Sequence, residues 1–165
     1  MKETAYLSLG SNLGQRQSIL QDAMTALEQL GKITARSSLY ETEPVEVGTQ
    51  PWFLNCAVAL ETELPPAQLL SAILALEEKM GRRRTGVKAP RTLDIDIVLY
   101  GNRVVDTPGL TIPHPAMQHR RFVLKPLAEI AADARHPVLD KTVGQLLQAL
   151  RENSGAVRKL EESTI

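Results

Sequence analysis

An α+β fold with the element order βαββαβ is predicted for this 165-residue chain by three observations. Trp52–Thr62 and Leu93–Val98 alternate with the two-residue period of a strand. Two segments, residues 14–30 and 65–80, carry apolar residues at helical spacing and stop at Gly31 and Gly81. No repeat and no long linker interrupts them, so one domain is expected over residues 1–165.

The first strand is Ala5–Leu9, ending at Gly10-Ser11-Asn12. Asn12 caps a helix from Gly14 to Leu30, with Ile19, Leu20, Ala23, Ala26, Leu27 and Leu30 on one side. Lys32–Tyr40 reads as a second strand with Ile33, Ala35, Ser37 and Leu39 facing together. Glu41–Pro51 holds two prolines and a glycine, which makes it a long loop. In Trp52–Thr62, Leu54, Cys56, Val58 and Leu60 take one face and Phe53, Asn55, Ala57 and Ala59 the other. Pro65-Pro66 opens the second helix, whose core stripe is Leu69, Ile73, Leu76 and Met80, with Leu70, Leu74 and Glu77 beside it. Residues 82–90 form a basic loop, the strand Leu93–Val98 follows, and Tyr100-Gly101-Asn102-Arg103 is a turn. Val104–Thr111 is a short hairpin or edge segment. Pro113-His114-Pro115 breaks the chain before a helical stretch, Ala116–Leu127. The last helix is Thr142–Leu150, and the polar end from Arg151 onward is expected to fray. Two βαβ-type halves of this kind make a ferredoxin-like core: a mainly antiparallel sheet with the long helices on one face, long loops, and additional C-terminal helices.

Composition narrows the function. Apolar residues make up 43% of the chain, and Lys plus Arg equals Asp plus Glu at 19 each, so no global field draws nucleic acid or a membrane. The single cysteine, Cys56, excludes an internal disulfide and reads as a core residue. No apolar run approaches membrane-spanning length and no signal peptide opens the chain, so a reducing cytoplasm is the expected compartment. Six aromatic residues are few for a base-stacking platform.

The chemistry concentrates on the run Leu93-Asp94-Ile95-Asp96-Ile97-Val98. Alternation sends Leu93, Ile95 and Ile97 to the helices and Asp94 and Asp96 to the other side, their Cα atoms about 7 Å apart. Such an apolar strand reads as central in the sheet, and two carboxylates on it need a cationic partner. Six basic residues and no acidic one lie between Lys79 and Arg91: Lys79, Arg82, Arg83, Arg84, Lys88 and Arg91. Phe53 and Asn55 share the aspartates' side of the sheet. A ring beside an amide suits a flat heterocycle, paired carboxylates suit Mg²⁺, and an arginine-rich loop suits a polyphosphate. Together they point to metal-dependent phosphoryl-type transfer without a glycine phosphate cradle.

These residues also carry a resemblance. Gly10-Ser11-Asn12-Leu13-Gly14, Tyr40-Glu41-Thr42-Glu43-Pro44, Phe53-Leu54-Asn55, Gly81-Arg82-x-Arg84, Pro90-Arg91-Thr92-Leu93-Asp94-Ile95-Asp96 and Pro113-His114-Pro115 closely resemble the 6-hydroxymethyl-7,8-dihydropterin pyrophosphokinase family of folate biosynthesis, from about residue 4 to residue 130 or beyond. The resemblance implies transfer of pyrophosphate from ATP to the pterin hydroxymethyl group, releasing AMP, by in-line attack on the β-phosphorus. It implies two Mg²⁺ ions on Asp94 and Asp96, and a pterin pocket of Thr42, Val45, Phe53, Asn55 and Phe122 with the two rings sandwiching the heterocycle. It implies nucleotide contacts from Glu77, Thr111 and His114, and phosphate contacts from Arg82, Arg84, Arg91 and Arg120, with Arg82 and Arg91 on a closing loop. A monomer acting on two small molecules, with no nucleic acid or membrane partner, is the expected state.

Four positions depart from the family pattern. Lys88-Ala89 stands where many relatives have a loop tryptophan, Leu74 replaces a polar nucleotide contact, and Gly109 and Pro115 replace side chains that touch ATP. Taken without the resemblance, the arginine cluster is a solvated loop, His114 a turn residue, Glu77 an exposed glutamate, and Phe53 and Phe122 core aromatics. Gly10–Gly14 reads as a structural turn near the site, and His119 and His136 as surface residues. Two further readings compete: a nucleotidyltransferase, which would release pyrophosphate instead of AMP, and an RNA-binding domain, which the acidic pair and zero net charge oppose.

Overall fold

The computed structural model describes residues 2–11, 16–42, 53–80, 93–150 and 157–159. The elements are β1 (Glu3–Ser11), α1 (Arg16–Leu27), β2 (Lys32–Arg36), β3 (Tyr40–Thr42), β4 (Phe53–Thr62), α2 (Pro66–Met80), β5 (Asp94–Tyr100), β6 (Val105–Thr107), β7 (Leu110–Ile112), a 3₁₀ turn (Met117–His119), α3 (Arg121–Ala131), β8 (Arg135–His136), β9 (Lys141–Thr142), α4 (Val143–Ala149) and β10 (Val157–Lys159). The main sheet runs β10-β3-β4-β1-β5, with β2 also paired to β4. Its described pairings are all antiparallel, as the ferredoxin-like order requires.

β1 and β4 pair along their full length, from Glu3 opposite Thr62 to Ser11 opposite Leu54. One face buries Leu7, Leu9, Leu54, Cys56, Val58, Leu60, Leu93, Ile95 and Ile97 against Leu20, Ala23 and Leu27 of α1 and Leu69 and Ile73 of α2. This is the sorting that alternation predicts. Burial pushes the Cys56 thiol up to about 12, so it behaves as a core residue. The second face is not open along its whole length. Ala57 and Val98 are sealed by Met117, Val123, Leu124 and Leu127 before and along α3, and by Val143 and Leu146 of α4. Phe53, Asp94 and Asp96, further along the same strands, keep partial exposure.

Several elements differ from the sequence reading, each for a local reason. The predicted strand Lys32–Tyr40 ends as β2 at Arg36, with a register shift between Ile33 and Ala35, and pairing resumes only at Tyr40 as β3, which runs into Glu41 and Thr42 of the predicted loop. At Ser37 the side chain takes over a ladder bond: Ala57 N donates to Ser37 Oγ at 2.9 Å while Ser37 N donates to Ala57 O at 2.9 Å. Glu129 of α3 then holds the segment after the break, accepting from Ser38 N (3.1 Å), Ser38 Oγ (2.9 Å) and Tyr40 Oη (2.7 Å). Burial alone would raise the Glu129 carboxyl, but these donors outweigh it and hold it below the ordinary value. The stretch Ala116–Leu127 is a 3₁₀ turn and a separate helix that runs on to Ala131, parted by extended backbone at Arg120. α4 starts where expected, on a Thr142–Gln145 capping box. Of the end expected to fray, Val157–Lys159 pairs with β3 as an added edge strand.

β5 is the edge of the sheet, not a central strand. Its apolar character comes from helices on both faces, and its outer edge is covered by other groups. Ile95 N donates to Glu77 Oε2 at 2.6 Å, and Val98 O accepts from His114 N at 3.0 Å. His136 is another departure: it is buried, and its Nδ1 accepts from Val138 N (3.2 Å) and Leu139 N (3.0 Å) to close the β8–β9 turn.

Burial lowers the His136 pKa below its ordinary 6.5. A depressed histidine gives stability that is present above the unfolded-state pKa and is lost as pH falls toward the folded one. Urea midpoints measured from pH 7 down to pH 5 should therefore fall, and His136→Asn should flatten that fall relative to the parent chain.

Candidate active site

The register of three strands builds the site. Asn55 of β4 lies opposite Gly10 of β1, and Gly10 lies opposite Asp94 of β5. One step back along β1, Ser8 lies between Ala57 and Asp96. With strands about 4.8 Å apart, the backbones carrying an amide and a carboxylate stand roughly 10 Å from each other across one glycine. β3 extends the rows, placing Tyr40 opposite Asn55 and Thr42 opposite Phe53.

Gly10 is not part of a turn; it sits inside β1. A Cβ there would stand 2.7 Å from Asn55 Nδ2, so only glycine lets the amide lie over β1. The amide is held from its other end: Thr42 Oγ1 donates to Asn55 Oδ1 at 2.6 Å, and both residues are buried. That bond commits the carbonyl oxygen and turns the NH₂ group toward β1 as a preset donor. An ion pair between Arg16 and Glu41 (3.2 Å) ties the start of α1 to β3 beside Thr42.

On the β5 side a cleft of about 330 Å³ is lined by Leu70, Asp96, Leu110, Thr111, His114 and their neighbours. Thr111 is exposed on β7, across the hairpin from Asp106. Pro108-Gly109 makes the two-residue turn of that hairpin, with Gly109 at φ +87°, which explains glycine at this position. His114 Nδ1 accepts from Ala116 N at 3.1 Å, which puts the ring proton on Nε2. Burial lowers the His114 pKa, Asp96 opposes that shift, and Arg120 adds to it. The neutral ring is thus a donor within the field of Asp96. The Arg120 guanidinium lies 5.5 Å from the centre of the Phe122 ring, and Phe122 packs on the helix-covered face of the sheet.

The structure therefore brings Thr42, Phe53 and Asn55 to one end of the sheet beside Asp94, and Asp96, Thr111 and His114 to one cleft, with Arg120 near His114. Val45, Arg82, Arg84 and Arg91 lie outside the described residues, as do Asn12–Gly14 and Lys88-Ala89. Glu77 is 3% exposed, against the reading of an exposed glutamate. The signal was present in the sequence, since Leu69, Ile73 and Glu77 follow one another at four-residue spacing on one helix face. Asp94 and Asp96 are two partly exposed carboxylates on one side of β5, a donor set that fits Mg²⁺, which takes few carboxylates and completes its shell with water and phosphate oxygens.

Gly10→Ala should destabilise the fold by about 1–3 kcal/mol through overpacking against Asn55. Adding Asn55→Ala removes the clash, so in denaturant titrations the double variant should lose less than the sum of the two single losses. Strict additivity would show that the close approach is unimportant.

The family model described as 7,8-dihydro-6-hydroxymethylpterin-pyrophosphokinase (HPPK) matches residues 6–132. The 2-amino-4-hydroxy-6-hydroxymethyldihydropteridine pyrophosphokinase of Pseudomonas aeruginosa is 44% identical over 139 residues, covering 83% of this chain and 86% of that protein. The folic acid synthesis protein fol1 of Pneumocystis carinii is 39% identical over 149 residues; the match covers 90% of this chain and only 20% of that longer protein. The crystal structure of wild-type HPPK-DHPS from Plasmodium falciparum shares the fold at a TM-score of 0.75 and 19% identity, over 90% of this chain and 44% of that one. With these matches, the chain belongs to the 7,8-dihydro-6-hydroxymethylpterin-pyrophosphokinase family of enzymes.

Proposed function

We propose that this chain transfers pyrophosphate from ATP to the hydroxymethyl group of 6-hydroxymethyl-7,8-dihydropterin and releases AMP, a step of folate biosynthesis. The observation that carries the reading is the row that sets Asn55 and Asp94 on either side of Gly10. It offers a preset amide donor for a heterocycle at one end and a carboxylate for a metal–phosphate assembly at the other.

The roles follow from this chemistry. Thr42 holds the amide of Asn55, which reads the pterin edge, while Phe53, Phe122 and Val45 enclose the ring. Asp94 and Asp96 would hold two Mg²⁺ ions, which when bound neutralise the polyphosphate oxygens. Thr111 and His114 meet the nucleotide from the cleft, His114 through its Nε2 proton. Arg120 faces phosphate from beside His114, and Arg82, Arg84 and Arg91 supply guanidinium groups for the charge that spreads over the transferring group. Excluding water while both substrates are held keeps ATP from simple hydrolysis. No described helix is long and apolar enough to cross a membrane, and we place the reaction in the cytoplasm, catalysed by a monomer.

Incubation with ATP, Mg²⁺ and the hydroxymethyl dihydropterin should produce AMP in step with pterin consumption. Asp94→Ala and Asp96→Ala should each lower that rate by about 100-fold or more with the fold intact by circular dichroism. Asn55→Ala should instead raise the pterin requirement by roughly tenfold and leave that for ATP unchanged. Release of pyrophosphate in place of AMP would make the enzyme a nucleotidyltransferase, and near-normal rates in either aspartate variant would remove the metal role.

A further inference from the structure

Glu77 is buried at 3% exposure on α2, and its carboxylate oxygen Oε2 accepts from the backbone N of Ile95 at 2.6 Å. Ile95 is the residue between Asp94 and Asp96. Its N–H is donated to Glu77, and β5 ends the sheet with no further strand beyond it. An N–H on that edge has no ladder partner, and burying it alone would cost about 1–3 kcal/mol. A bond to a carboxylate is stronger than one to a neutral acceptor and fixes position more tightly.

The resemblance to the family suggests a nucleotide contact for Glu77. The geometry points to a different duty in its place, since the carboxylate is buried and bound to the β5 backbone. We infer that Glu77 is a positioning residue for the metal-binding strand: by gripping the peptide between the two aspartates, it sets their separation and pitch relative to α2. The helix is a firm base, since Ile73 and Leu69, one and two turns earlier on the same face, are fully buried in the core. The far end of the same strand edge is held by a second graft, Val98 O accepting from His114 N at 3.0 Å. β5 is thus fastened on both sides of Asp96, through Ile95 to α2 and through Val98 to the segment bearing His114. Groups that orient metal ligands typically change metal affinity by about 10- to 100-fold when lost.

This inference rests on the proposed metal role of Asp94 and Asp96, and its test separates the two. Amide hydrogen exchange at Ile95 reports the grip directly, without substrate or metal. Calorimetric Mg²⁺ titration in the presence of a non-hydrolysable ATP analogue reports its consequence. Glu77→Ala should speed Ile95 exchange at least tenfold and raise the Mg²⁺ needed for half-saturation by about tenfold, while binding of the analogue without Mg²⁺ stays within about twofold of the parent. Glu77→Gln, which keeps a carbonyl acceptor, should recover most of both effects and covers the case in which Glu77→Ala fails to fold. Unchanged Mg²⁺ affinity in Glu77→Ala, or in Glu77→Gln an Ile95 exchange rate as fast as that of an unprotected amide, would overturn the positioning role. So would an equal loss of analogue binding without Mg²⁺, which would make Glu77 a nucleotide contact only. If the parent chain forms no AMP, the proposed reaction falls, while exchange at Ile95 and Mg²⁺ affinity still decide the role of Glu77.

Discussion

The antiparallel register of β1 with β4 and β5 is the constraint on which the rest of the molecule depends. It aligns Leu9 with Cys56 and Ile95, so that one face becomes a continuous apolar floor for α1 and α2. It also aligns Gly10 with Asn55 and Asp94 on the other face. A slip of one residue would exchange the two faces, exposing the floor and burying the carboxylates in it. Core and site are therefore specified by the same pairing. The apolar residues supply the free energy that keeps polar groups where function needs them.

Those polar groups are held by a series of specific bonds instead of by packing. Thr42 holds Asn55, Glu77 holds the peptide between the aspartates, and His114 is set by Val98 and Ala116. Farther back, Glu129 collects Ser38 and Tyr40 at the point where β2 gives way to β3, which steadies the strand that carries Thr42. β10 pairs along the outer side of β3, with Val157 opposite Thr42. Each bond leaves one atom of the functional group committed and another available, which is how a carboxamide or an imidazole becomes a donor of defined direction.

Much of this was readable from the chain. The strands around Asn55 and Asp94 were legible because each obeys the two-residue period, and the helices because their stripes and glycine stops agree. The edge position of β5 was not, because apolar residues report burial on the faces of a strand and say nothing about how many neighbours it has. The break at Ser37 turns on one hydroxyl replacing a backbone acceptor, and the pairing of Val157–Lys159 with β3 is a long-range contact of three residues without an apolar pattern. His136 lacked any sign of burial because its partners are backbone N–H groups. Gly10 reads as the end of a strand in the sequence, although a glycine followed by a polar pair can equally mark a close approach inside one.

In the proposed function the amide of Asn55 and the carboxylates of Asp94 and Asp96 serve one two-substrate site. Replacing Mg²⁺ by paramagnetic Mn²⁺ with a non-hydrolysable ATP analogue, and following the Asn55 side-chain NH₂ signals by NMR, tests this most directly. One shared site predicts that those signals broaden in step with metal binding and recover when excess Mg²⁺ displaces the Mn²⁺. Saturation with Mn²⁺ that leaves the Asn55 NH₂ signals sharp, while signals elsewhere in the chain broaden, would contradict it.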